Sequence, residues 1–118
     1  VSENKVLSHP ATVDSIPTCA GSEDHVSMGA NGALQMWRVL EHAEQVLGIE
    51  AMCAAQASDL RGDNLAMAPA LRELQDAFRE HVPFLERDAV MAPLMASAAA
   101  WIRGGAPGEK ADLRDAQS

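Results

Sequence analysis

Four consecutive residues, Ser22-Glu23-Asp24-His25, are the densest group of side chains able to do chemistry in this chain. Together they offer a hydroxyl, two carboxylates and an imidazole. A carboxylate at position 23 can accept or return a proton, or hold a cationic or hydrogen-bonding ring. Its behaviour depends on closure, because burial opposes the charge that a helix N-terminus favours. The spacing also fits a plainer role: acidic residues in the first turn of a helix act as caps. Metal binding is not expected, since Glu23 and His25 stand two positions apart and point to different sides of a helix. Cys19 and Cys53 lie far apart with no Cys-x-x-Cys spacing, as reduced thiols of a cytoplasmic protein would. His42, beside Glu41, and His81, at the end of a helical stretch, read as solvated or capping residues. The six methionines read as core filler rather than a cofactor box.

These groups have to be positioned by a helix-rich scaffold. Apolar residues form 47% of the chain but aromatics only 3%, so Ala, Leu, Met and Val must build the core, a composition that favours helices. Residues 1–22 mix Pro10, Pro17 and Gly21 with β-branched Thr12, Val13 and Ile16 and are expected to be extended or looped. From about Glu23 to Asp59, Met36, Leu40, Ala43, Leu47, Ala51 and Ala54 recur at the three-and-four spacing of one helical face. Ser22 is the expected N-cap of that helix, with Glu23 and Asp24 in its first turn. A second row, Trp37, Val39, Val46, Ile49, Met52 and Cys53, makes it a helix to be surrounded rather than laid on a surface. Gly29, Gly32 and Gly48 along it are best explained by close approach of another backbone.

A second helix is expected from Pro69, with Leu71, Leu74 and Phe78 on its apolar face, stopped by Pro83. A third should run from Pro93 to Arg103 and close at Gly104 and Gly105. The fold class is therefore all-α, one long helix plus shorter ones, after an extended N-terminal segment. Residues 1–105 form the helical segment and 106–118 a disordered tail. Two short helices cannot enclose the long one, so much of its apolar surface awaits partner helices.

Charge and length narrow the function classes. A net charge of -8 with scattered basic residues argues against nucleic acid as a partner, because phosphate binding needs a concentrated positive field. The longest apolar stretch, Ala89 to Ile102, is interrupted by Pro93 and Ser97 and falls short of the roughly 18 residues that mark a membrane span.

Read as text, the run from Ser2 to Thr18, with Ser8-His9-Pro10-Ala11-Thr12-Val13-Asp14-Ser15-Ile16-Pro17 at its heart, resembles the histidine ammonia-lyases of the aromatic amino acid lyase family. Glu23-Asp24-His25-Val26-Ser27-Met28-Gly29 continues the resemblance, as do Gly48-Ile49-Glu50, Ala54-Ala55-Gln56 and Arg79 to Phe84, covering residues 2–105. It implies a helical, homotetrameric enzyme whose long helices form a central bundle and whose active sites draw on more than one subunit. It further implies loss of ammonia from an aromatic amino acid, histidine giving trans-urocanate, through a methylidene-imidazolone electrophile formed from an internal Ala-Ser-Gly. On this resemblance Glu23 is the catalytic, substrate-facing carboxylate, Ser22 lines the substrate, and Asp24 and His25 support the site, with no metal. The Glu-Asp-His form is similar to the histidine branch. Cys19, Gly21 and Ser22 depart from the Ser, Asn and Gln usual there, which leaves another aromatic amino acid open as substrate. The sequence holds no Ala-Ser-Gly and no tyrosine, the family's base. Catalysis is therefore expected only with an N-terminal portion of the lyase, the alternative being a non-catalytic helical remnant or assembly module.

Overall fold

The structure, a computed structural model, describes residues 1–22, 25–62 and 67–105. Every regular element among them is helical. In chain order they are α1 (Ser2–Leu7), two 3-10 turns (Ala11–Val13 and Cys19–Gly21), α2 (Gly29–Arg61), α3 (Pro69–Arg79) and α4 (Met91–Gly104). The all-α class holds. The expected tail, 106–118, lies outside the described residues.

Two boundaries in the N-terminal part of the chain differ from the sequence-based expectation. The opening is not wholly extended, because Ser2–Leu7 contains neither Pro nor Gly and carries Glu3 in its first turn and Lys5 in its last, each charge matched to the helix dipole. The prolines and glycine that argued for loop all come later. The long helix begins at Gly29 rather than about Glu23, so Ser22 is not its N-cap. Instead Ser22 caps the C-terminal end of the second 3-10 turn, its N–H donating to Cys19 O at 3.1 Å. Near the true start of α2, Ser27 Oγ accepts the N–H of Gly29 at 3.4 Å. A hydroxyl that serves a free N–H at this point stabilises a helix start here.

The chain divides into two compact units, Val1–Ala43 and Glu44–Ser118. In the second, Met52 and Ala55 of α2, Phe78 of α3, Val82 in the turn that follows it, and Ala98 of α4 form the core, with Leu94, Met95 and Trp101 packed on it. Phe78 and Trp101 meet edge to face at 5.1 Å between ring centres, the geometry in which one ring's positive edge faces the other's negative face. α4 starts at Met91, two residues before Pro93. The ring lacks only an N–H that has no intrahelical partner in a first turn, so it is accommodated there. Gly105, at φ 78°, closes α4 as expected.

Gly48 bears out the close-approach reading. A Cβ there would lie 2.8 Å from the backbone nitrogen of Ala99 and 3.0 Å from the carbonyl carbon of Ala98, so α2 and α4 touch backbone to backbone. Gly29 and Gly32 have no backbone neighbour that close. Polar clasps complete the second unit. The Gln56 amide donates to Leu85 O at 2.8 Å and accepts from Leu85 N at 3.2 Å, which serves the backbone after α3. Arg79 donates through Nε to Asp59 at 2.8 Å and through Nη1 to Val82 O at 3.0 Å, and Gln75 donates to the same carboxylate. Arg103 pairs with Glu44 at 2.6 Å.

Among the described residues, most of α2 remains uncovered. Of its 33 residues only Gly48, Met52 and Ala55 are buried. Leu34, Met36, Trp37, Leu40, Val46, Leu47 and Ile49 are all exposed, as are Leu71 and Leu74 on the face of α3 expected to be buried.

Candidate active site

The residues singled out for chemistry fall in the segment that joins α1 to α2. After α1, the Pro10 carbonyl receives the N–H of Val13 at 3.3 Å and forms the first 3-10 turn. Asp14 Oδ1 then accepts the N–H of Ser15 at 2.8 Å, and Ser15 Oγ accepts the N–H of Val26 at 3.1 Å, eleven residues further on. The chain between them is thus closed into a loop with Ser15 and Val26 at its neck.

Within this loop the backbone takes an uncommon path. Cys19 (φ 49°), Ala20 (φ 55°) and Gly21 (φ 88°) are consecutive left-handed residues. Hydrogen bonds from Gly21 N to Thr18 O (3.0 Å) and from Ser22 N to Cys19 O (3.1 Å) hold the turn. A left-handed residue with a Cβ costs roughly 1–2 kcal/mol, so Cys19 and Ala20 store strain directly before the candidate motif. Gly21 relieves it at the third position. Asparagine, usual there in the histidine lyases by the resemblance above, is the other residue that tolerates this region, so the departure at 21 preserves the turn.

Of the four expected site residues, Ser22 and His25 are exposed among the described residues. Glu23 and Asp24 lie outside the described residues. Beside the neck, His9, Asp14, Met28, Asn31 and Gln35 line an open hollow of about 370 Å³. No group of three or more His, Cys, Asp or Glu able to hold a metal occurs among the described residues. Ser15, Asp14 and the left-handed turn were not singled out in the sequence. The Asp-Ser pair is a turn-forming signal, but its partner eleven residues away leaves no local trace.

His42 differs from its expected solvated or capping role. It is partly buried, with Nδ1–H donating to Asn4 Oδ1 at 2.6 Å and Nε2 lying 3.6 Å from the Glu3 carboxylate. It fastens α2 to α1 inside the first unit rather than serving the loop. Cys19 and Cys53 are both free thiols, and no disulfide joins them. No helix among the described residues is long and apolar enough to cross a membrane.

The family model for aromatic amino acid lyases matches residues 1–80, which contain α1, the loop and all of α2. The chain belongs to the aromatic amino acid lyase family. It is 45% identical over 105 residues to the histidine ammonia-lyase of Halalkalibacterium halodurans, covering 89% of this chain and 20% of that relative. The histidine ammonia-lyase of Gloeobacter violaceus is 53% identical over 92 residues, covering 78% and 18%. Among solved structures, a crystal structure of histidine ammonia-lyase from Trypanosoma cruzi superposes with a TM-score of 0.81 at 36% identity, over 88% of this chain and 20% of that one. The chain spans about a fifth of the length of the curated relatives it matches.

Proposed function

We propose that this chain is the part of a histidine ammonia-lyase that supplies Glu23 to the active site, in an enzyme that converts L-histidine to trans-urocanate and ammonia. The observation that carries this reading is the Glu23-Asp24-His25 sequence motif, in a chain that histidine ammonia-lyases match at 45–53% identity. In the reaction a proton leaves Cβ, the Cα–N bond breaks, and the electron pair of the C–H bond becomes the Cα=Cβ double bond. The methylidene-imidazolone of this family supplies an electrophile that makes the amino group a better leaving group. The sequence contains no Ala-Ser-Gly and no tyrosine, so on this reading both the electrophile and the base are supplied from outside these residues.

What this chain contributes is recognition. A Glu23 carboxylate accepts a hydrogen bond from the substrate imidazole N–H, an interaction stronger when donor or acceptor is charged. Ser22 lies beside it as a substrate-lining hydroxyl, with Asp24 and His25 supporting the pair. The N-terminal portion of the lyase brings the electrophile, and packing of α2 helices into a homotetrameric bundle covers the apolar face this chain leaves bare. Residence in the cytoplasm suits two unpaired cysteines.

The test is co-production with the lyase portion that carries Ala-Ser-Gly, following urocanate absorbance. Glu23→Gln should lower kcat/KM for histidine roughly tenfold to hundredfold, the loss of one charge-assisted hydrogen bond. Undiminished turnover in that variant overturns the assignment. The departures at Gly21 and Ser22 favour a second reading, in which another aromatic amino acid is the substrate. Faster turnover of phenylalanine than of histidine in the same assay would select it.

A further inference from the structure

We infer that His42 is a proton-operated latch between α2 and α1: the doubly protonated ring holds both Asn4 and Glu3, whereas the neutral ring holds Asn4 alone. All three residues lie in the first unit. No residue of α1 is buried and Val6 is 74% exposed, so apolar packing does little to keep this helix on α2. Polar contacts decide it. His42 Nδ1 lies 2.6 Å from Asn4 Oδ1, and Nε2 lies 3.6 Å from the Glu3 carboxylate. Both neighbours are acceptors, and a neutral imidazole has only one N–H to give. With that hydrogen on Nδ1, a bare Nε2 lone pair faces a carboxylate. A second proton converts this unfavourable face into an ion pair while the Asn4 bond stays in place. The other charges nearby do not reverse the sign. On α1, Lys5 stands two positions past Glu3 and so points to a different side of that helix. On α2, Arg38 precedes His42 by four positions and opposes a charged ring, but it is exposed and screened by water. Glu41 accepts the Trp37 indole N–H. The pair favours the charged ring, so the latch tightens as pH falls through the range in which histidines titrate and loosens as pH rises through it.

The test is amide hydrogen exchange of the full chain, read at Val6 to Ser8 as protection relative to an unstructured peptide at the same pH. Protection of α1 should rise about twofold to fivefold between about pH 8 and about pH 5, the scale of one partly exposed ion pair. His42→Gln, which is neutral throughout, should show no rise, and Glu3→Gln should lose most of it. Asn4→Ala should lower protection at both pH values, because its bond to the ring is made in either state. A flat profile in the native chain, or the same rise in His42→Gln, overturns the inference, the second result because another group would then be the one titrating. Nitrogen-15 shifts of the His42 ring give a readout that needs no variant. At pH 8 the hydrogen should sit on Nδ1, and a neutral ring carrying it on Nε2 overturns the latch, since Glu3 would then be served without a second proton. Should His42→Gln fail to hold α1 at any pH, the ring tautomer of the native chain and the Glu3→Gln profile still decide.

Discussion

Three glycines show how differently the same missing methyl group can act. At Gly48 an added Cβ meets backbone atoms of Ala98 and Ala99, which cannot swing aside as a flexible side chain would. Alanine's better helix propensity, about 0.5–1 kcal/mol, is outweighed by an overpacking cost of about 1–3 kcal/mol. Gly48→Ala should therefore lower the denaturant midpoint of unfolding. Gly32→Ala, whose Cβ would meet only the Ala11 methyl at 3.7 Å, should raise it. Gly21 is governed by backbone angle rather than space, since nothing lies within 4 Å of its added Cβ. Gly21→Asn is expected to be nearly neutral. Gly21→Val should destabilise the loop by about 1–2 kcal/mol, read as faster amide exchange at 19–22 and a lower thermal midpoint.

At the scale of elements, α3 is joined to α2 by a small core and by one guanidinium. Arg79 holds Asp59 on α2 while also serving the carbonyl of Val82, so its planar fork ties the end of α3 to two places at once. Arg79→Ala should cost about 1–2 kcal/mol in chemical denaturation, more than an exposed pair because both side chains are largely covered. Arg79→Lys should recover less than half of that, because an ammonium cannot reproduce the fork. The added apolar contacts explain why α3, although only 11 residues long, forms at all: Phe78 is 3% exposed and Val82 1%. A helix of that length is marginal in water without tertiary packing.

Among the described residues, α2 leaves Leu34, Met36, Trp37 and Leu40 exposed in the first unit and Val46, Leu47 and Ile49 exposed in the second. Exposed apolar surface of this kind marks an interaction surface. On the proposed function, helices of the rest of the lyase cover these side chains. The chain by itself should bind a dye such as ANS strongly, and joining it to the missing portion should abolish that binding. Trp37, 65% exposed here, should shift its emission to the blue on assembly, and an unshifted spectrum would show that face still in water.

Helical class, the Pro69 start of α3, the glycine closure of α4 and the close approach at Gly48 were legible because each depends on neighbours a few residues away or on the cost of a glycine in a helix. The family was legible for a similar reason, since its motif is a run of adjacent residues. The start of α2 was not, because Ser22 and Ser27 are both good caps and only the closing of the loop by Ser15 and Val26 shows which stretch stays out of the helix. Nor could the face of α2 that is buried within this chain be read from periodicity, which marks where apolar side chains lie but not which partner covers them. Local backbone preference is written in order along the chain. The loop's neck, the role of His42 and the choice of covered surface depend on residues distant in sequence meeting in space, and only the tertiary structure decided them.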